Sequence, residues 1–289
     1  MKKKLLFLGT IALAVIVSIS MIACEEDGDK GPSIPKVPAY GTSDIAAFNI
    51  SGATTPTFAT DEDAIMFFAA AAMQMGIPNV DSILGGISEG YLGNIQSRAV
   101  TTEKMDIDIN LADYTAENAD LGIKDLKGKI KGSVTAKMDD VKNTMSYSGN
   151  INANASYSFD VKDVVTDDPE YLPDVLKAKV KMEANGSMSM NMTETKYSIS
   201  ASFGAAGSLA MAYKDGAEGA KFILSFGAAG SVKEDIKIDE MSESGPEIMP
   251  DLSKIKGNVT LSIYNASDAL VKTVKMDVDD LEKLISDFE

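Results

Sequence analysis

Between residues 103 and 278 apolar and polar residues alternate in a series of runs. A period of two belongs to strands that bury one face and expose the other. Residues 144–161 set Met145, Tyr147, Ile151, Ala153, Ala155, Tyr157, Phe159 and Val161 on one side, against a polar side that runs from Thr144 through Asn150, Asn152 and Asn154 to Asp160. Residues 176–192, 197–213 and 222–232 repeat the pattern, and shorter runs at 103–112, 126–138, 254–264 and 270–278 bring the expected strands to eight. Most connections are short and polar, which predicts antiparallel hairpins. Residues 162–174, with Asp167-Asp168-Pro169-Glu170 and Leu172-Pro173-Asp174, suit a longer loop.

An internal repeat predicts a register. Ser202-Phe203-Gly204-Ala205-Ala206-Gly207-Ser208 recurs unchanged at Ser225 to Ser231. If Tyr213 pairs with Ala220, Phe203 lies opposite Gly230 and Gly207 opposite Phe226. Each ring then covers a glycine on the facing strand, whereas a slip of one residue would turn both rings to the other face. The repeat reads as a packing device.

Two stretches before the strands read as helical. Thr60 can cap a helix whose first turn holds Asp61, Glu62 and Asp63, at the positive end of the dipole. It continues through Phe67 and Phe68 and stops at Gly76 and Pro78. From Ala64 to Met75 it carries no charge, which predicts burial on every side. Residues 81–97 suit a second helix loosened by glycines, and residues 279–289 a short amphipathic one. The expected fold is mainly β: about eight long antiparallel up-and-down strands forming a barrel or strongly curved sheet, with a buried N-terminal helix and a short C-terminal helix.

Size then constrains the architecture. Strands of about 17 residues at roughly 3.3 Å each are near 55 Å long, and six to eight of them at about 4.8 Å span about 30–40 Å. Short helices cannot cover so large an apolar face. The sheet should roll up, fold over, or present a concave surface to a hydrophobic ligand. Phe67, Phe68, Met188, Met190, Met192, Phe203 and Phe226 are the expected pocket lining. An outer-membrane barrel is the opposite arrangement, but the chain has no Trp for an aromatic girdle and pads its apolar face with Ala, Gly and Met.

Composition narrows the chemistry. The formal charge is −16, and Arg98 is the only arginine. Such a chain repels phosphate backbones, so nucleic acid is excluded as a partner. There is no histidine and a single cysteine, which removes the usual general base, the common serine triad and most zinc sites. The reading is non-enzymatic, with no cofactor and no metal. The thioethers of Met188, Met190 and Met192 share a face and would suit Cu(I), but no His or Cys supports them, and flexible Met equally lines apolar pockets. Asp106, Asp108, Asn110 and Glu117 mimic a calcium loop, yet Leu111 replaces the turn glycine and the alternating isoleucines say strand.

The first residues carry the most specific signal. Met1-Lys2-Lys3-Lys4 precedes an apolar run from Leu5 to Ala23, the build of a secretory signal peptide. Met21-Ile22-Ala23-Cys24 resembles a bacterial lipobox, with a small residue before the cysteine, although Ile22 stands where a small residue is usual. The resemblance implies a bacterial lipoprotein: cleavage before Cys24, covalent lipid on Cys24, and anchoring in a lipid bilayer, expected here to be the bacterial outer membrane, at its periplasmic face or at the cell surface. Stable anchoring takes about two acyl chains. Loss of Lys2, Lys3 and Lys4 would lower the charge from −16 to −19. Acidic Glu25-Glu26-Asp27-Gly28-Asp29 follows. The expected organisation is a signal peptide over 1–23, a flexible lipidated tether over 24–58 and a single β-rich domain over 59–289.

Overall fold

A computed structural model of the chain describes residues 33–75, 100–139, 142–166, 172–237 and 255–277. Cys24 and its lipobox, the acidic residues 25–29, Arg98, the acidic group at 167–170 and the helices expected at 81–97 and 279–289 lie outside them.

Eight strands form one antiparallel sheet in sequence order. They are β1 (Val100–Asn110), β2 (Leu121–Asp139), β3 (Thr144–Val164), β4 (Val175–Met192), β5 (Lys196–Asp215), β6 (Glu218–Lys237), β7 (Lys256–Tyr264) and β8 (Leu270–Asp277). All eight alternating runs become strands, because the period of two leaves each one an apolar face to bury. Two 3-10 turns, Leu111–Tyr114 and Ala116–Asn118, link β1 to β2.

The sheet does not close, which corrects the barrel. Hydrogen-bonded partners followed across it place Asn110, at the end of β1, in one row with Lys129, Asn154, Glu183, Ala206, Gly227, Asn258 and Asp277, at the end of β8. The two edge strands therefore overlap in a single row and lie toward opposite ends of the sheet. Burial that closure would have supplied comes instead from a helix on the inner face.

That helix, α2, follows a shorter one, α1 (Thr42–Ala46), and spans Asp61–Ala72. It starts where the sequence predicts. The Asp63 N–H donates to Thr60 Oγ1 at 3.0 Å and the Thr60 N–H to Asp63 Oδ2 at 2.9 Å, a reciprocal cap. The Thr60 N–H, then its hydroxyl, hold the Asp63 carboxyl below its ordinary range. Ala64, Ile65, Phe68, Ala71 and Ala72 are buried against the sheet. The helix is not buried on every side, contrary to the uncharged pattern. Met66 is 37 % exposed, and Ala70 and Gln74 continue the same outward stripe. Among the described residues α2 packs on one face of the sheet only, and alanine exposes little apolar area on its outward side.

One core cluster joins α2 to β2 through β8, with Ile123, Phe159, Leu176, Met211, Phe222, Ile263 and Val274 among its buried members. It occupies the near end of the sheet, where the β5–β6 and β7–β8 turns lie.

Residues 33–55 correct a second expectation. They form a strap across the outer face and not a loose spacer. Ile45, Phe48 and Ile50 are buried against Ala210, Ala212 and Ile223. The Tyr40 N–H donates to Ser208 Oγ at 3.0 Å, and Tyr40 lies under the Lys181 ammonium, 3.9 Å from the ring centre. At the near end the Thr54 N–H donates to the Ala217 carbonyl and the Gly219 N–H to the Thr54 carbonyl. The chain then passes over this end to α2, so the sheet is clamped from both sides.

The repeat adopts the predicted register, with Tyr213 opposite Ala220, Phe203 opposite Gly230 and Gly207 opposite Phe226. Glycine also alternates with large residues beyond the hairpin, as one row reads Ile107, Gly132, Ile151, Gly186, Phe203, Gly230. Large residues on alternate strands fill the space that glycines leave between them.

Candidate functional site: the far half of the inner face

The inner face stays apolar beyond the reach of α2. Above the core, Phe203, Ala184 and Ala205 form a small buried cluster with Ile255 and Ala228 packed on it. Farther out, three rows reach the β2–β3 and β4–β5 turns. The outermost is Met138, Met145, Met192 and Tyr197. Behind it come Ala136, Tyr147, Met190 and Ile199, and then Met105, Val134, Gly149, Met188, Ala201 and Val232.

Most of these side chains are half-buried, and Met192 is 38 % exposed. The residue types also change along the same strands. At the near end the rows hold Val180, Leu209, Leu224, Leu261 and Val274; at the far end thioethers replace branched aliphatics. Two phenols contact the sulfurs: Tyr147 Oη donates to Met145 Sδ at 3.4 Å, and Tyr197 Oη donates to Met190 Sδ. Burial, and secondarily the neighbouring Tyr147, push the Tyr197 phenol above its ordinary value.

The seven residues expected to line a pocket all project to the inner side of the sheet, but they do not meet in one place. Phe67 and Phe68 belong to the near-end core, where Phe68 lies 5.4 Å from Phe222 and Phe67 lies 5.9 Å from Tyr213, centre to centre. Phe203 and Phe226 sit mid-sheet over Gly230 and Gly207. Met188, Met190 and Met192 stand at the far end. Met190 pairs with Ile199 and Phe222 with Met211, so the two groups are separated by roughly 40 Å along the strands. Sequence reasoning did not bring Met138 and Met145 into the set. They flank the β2–β3 turn and pair with each other, which the hairpin register alone would have shown.

Two open clefts lie on the outer face beside the strap. One, of about 400 Å³, runs between Ile34–Ala39 and Ala206, Ser225 and Gly227, with Phe226 at its margin. The other, of about 190 Å³, lies between Pro35 and the polar Asn152, Asn154, Glu183 and Asn185. Asp106, Asp108 and Asn110 stand on β1, where Asp106 and Asp108 pair with Lys104 and Lys131 at 2.9 and 3.6 Å, while Glu117 stands in the second of the 3-10 turns that follow. Among the described residues no three His, Cys, Asp or Glu side chains are placed to hold a metal ion, and no helix is long and apolar enough to cross a membrane.

Comparison with protein-family models, with curated proteins and with solved structures finds no match to this chain.

Proposed function

We propose that this chain is a non-enzymatic bacterial lipoprotein, held on the outer membrane by lipid on Cys24, that carries a lipid or other hydrophobic ligand on the far half of its apolar sheet face. The observation that carries this reading is the half-buried inner face beyond the core. Its Met and Tyr side chains are adaptable and amphipathic, and a face filled purely for stability would continue the Leu and Val of the near end. Ser33 follows Cys24 by nine residues, so the strap would start within about 30 Å of the bilayer surface. An acidic chain without histidine, its one cysteine acylated, is suited to holding an uncharged ligand and not to catalysis or nucleic-acid binding.

A second reading, a structural or adhesive surface lipoprotein, draws on the outer face. Ser and Asn dominate it from Ser146 to Asn154 on β3 and from Asn185 to Asn191 on β4, and Ser187 and Ser202 hydrogen-bond across strands at 2.7 Å.

Native mass spectrometry of the protein extracted from membranes separates the two. A co-purifying lipid, and saturable uptake of a fluorescent fatty acid, is the result expected. Neither lipid nor uptake would leave the adhesive reading. The anchor is tested independently by Cys24→Ser, which should move the protein to the soluble fraction and abolish incorporation of labelled palmitate.

A further inference from the structure

The methionines of the far end form a denser constellation than their sequence spacing implies. Met138, Met145 and Met192 are directly opposed on three adjacent strands, β2, β3 and β4. Directly opposed side chains have Cβ atoms about 4.5–5.5 Å apart, and diagonal neighbours about 7–8 Å. Met190 is diagonal to Met145, and Met188 lies one inward step further along β4. A thioether on three rotatable bonds can swing over that range, so three sulfurs can converge on one point above the sheet.

We propose that Met138, Met145, Met190 and Met192 form a thioether site for a soft monovalent metal ion, Cu(I). Neutral sulfur donors select Cu(I) over the hard and borderline divalent ions. A chain without histidine and with one cysteine offers thioethers as its main soft donors, and they are most concentrated at this end of the sheet. The side chains are accessible, unlike Met211, which is fully buried in the near-end core. The hydroxyls of Tyr147 and Tyr197 already contact the sulfurs of Met145 and Met190, so polar groups stand beside the thioethers. The acidic balance of the chain attracts cations to its surface.

This inference does not rest on the hydrophobic-ligand reading, because the metal alone is the probe. Cu(I) is titrated anaerobically into the full chain carrying Cys24→Ser, so that no thiol competes, against a chromophoric Cu(I) chelator, and Ag(I) is titrated by calorimetry. The expected result is one equivalent withheld from the chelator, with affinity lowered at least tenfold in the M145L/M190L/M192L variant and unchanged in M66L, which removes a solitary thioether of similar exposure. Leucine keeps the volume of methionine, so the fold should survive. Should the triple variant unfold, M192L alone at the most exposed position carries the test, with a smaller loss expected. Complete capture of the metal by the chelator, or equal binding by the thioether-deficient variant, overturns the proposal. Binding of Cu(I) with no fatty-acid uptake would retire the carrier reading and keep the metal site.

Discussion

Phe226 lies so close over Gly207 on the facing strand that a methyl group at Gly207 would sit 2.5 Å from its Cε1 atom. The relation is repeated by the pseudo-twofold of the hairpin, where Phe203 covers Gly230 and a methyl there would meet the ring at 3.0 Å. Both contacts follow from one seven-residue sequence written twice and paired antiparallel with itself.

Gly207→Ala should therefore overpack the sheet and cost about 1–3 kcal/mol, with Gly230→Ala costing less. Urea unfolding of the two variants measures this. The ring is the cause, so Phe226→Ala and Gly207→Ala combined should destabilise by less than the sum of the singles. A strictly additive pair would show that the backbone conformation at Gly207 matters and the ring does not.

The first glycine of each copy faces the other way. A methyl on Gly204 would lie 2.3 Å from the Ser33 carbonyl oxygen, and one on Gly227 would lie 2.7 Å from Ile34 Cγ2. The repeat thus serves both faces: its phenylalanines and second glycines pack the inside, and its first glycines leave a trough for the strap. Gly204→Ala should lift the start of the strap while Ile45, Phe48 and Ile50 stay seated. Hydrogen exchange should rise over residues 33–40, with little change in the global unfolding midpoint. A fall in that midpoint as large as that of Gly207→Ala would contradict this division of roles.

The two faces of the repeat also mark what the sequence made legible. Strand number, order and the β5–β6 register could be read, because period-two alternation and a self-complementary segment both act between neighbours. Closure could not be read, since it depends on how registers accumulate across all eight strands. The strap was hidden because Ile45, Phe48 and Ile50 sit among Gly, Pro, Ser and Thr, and their burial needs a trough of small residues more than 150 positions away. The apolar helix was over-read: absence of charge shows that burial is tolerated, not that a second layer exists. At the candidate site, Met188, Met190 and Met192 were visible as a stripe along one strand, while Met138 and Met145 join them only through pairing with neighbours.

Lys221 is the one charged side chain among the described residues with almost no solvent contact, 3 % exposed, and it meets Asp268 Oδ1 at 2.6 Å. Asp268 stands in the β7–β8 turn with a left-handed backbone, φ 64°, and is one-third exposed. Removing its carboxylate strands a buried ammonium. Asp268→Ala should cost about 2–3 kcal/mol, below the roughly 3–5 kcal/mol of a fully enclosed pair because water reaches the aspartate. Lys221→Met should cost less, since it leaves only a carboxylate that can be solvated. Asp268→Asn keeps a residue that tolerates the left-handed conformation, so a loss near that of alanine assigns the effect to charge. Chemical denaturation of the three variants makes the comparison.

Alkaline stability should depend on Tyr157. Its side chain is buried in the near-end core opposite Val180, and burial pushes its phenol far above the ordinary value of 10.0. The folded protein therefore keeps this proton at a pH where the unfolded chain gives it up. For a group whose folded pKa is raised, the contribution is fully present below the unfolded value and is lost as pH rises toward the folded one. From this group alone, stability should fall by about 1.4 kcal/mol for each pH unit above 10. Tyr40, Tyr197 and Tyr213 are raised in the same direction by shallower burial, so the parent profile is their combined effect. Tyr157→Phe should be near neutral in stability at pH 7 and should flatten the alkaline limb measured by urea unfolding between pH 9 and about 11. An unchanged slope in that variant would mean that the phenol is reached by water in the folded sheet.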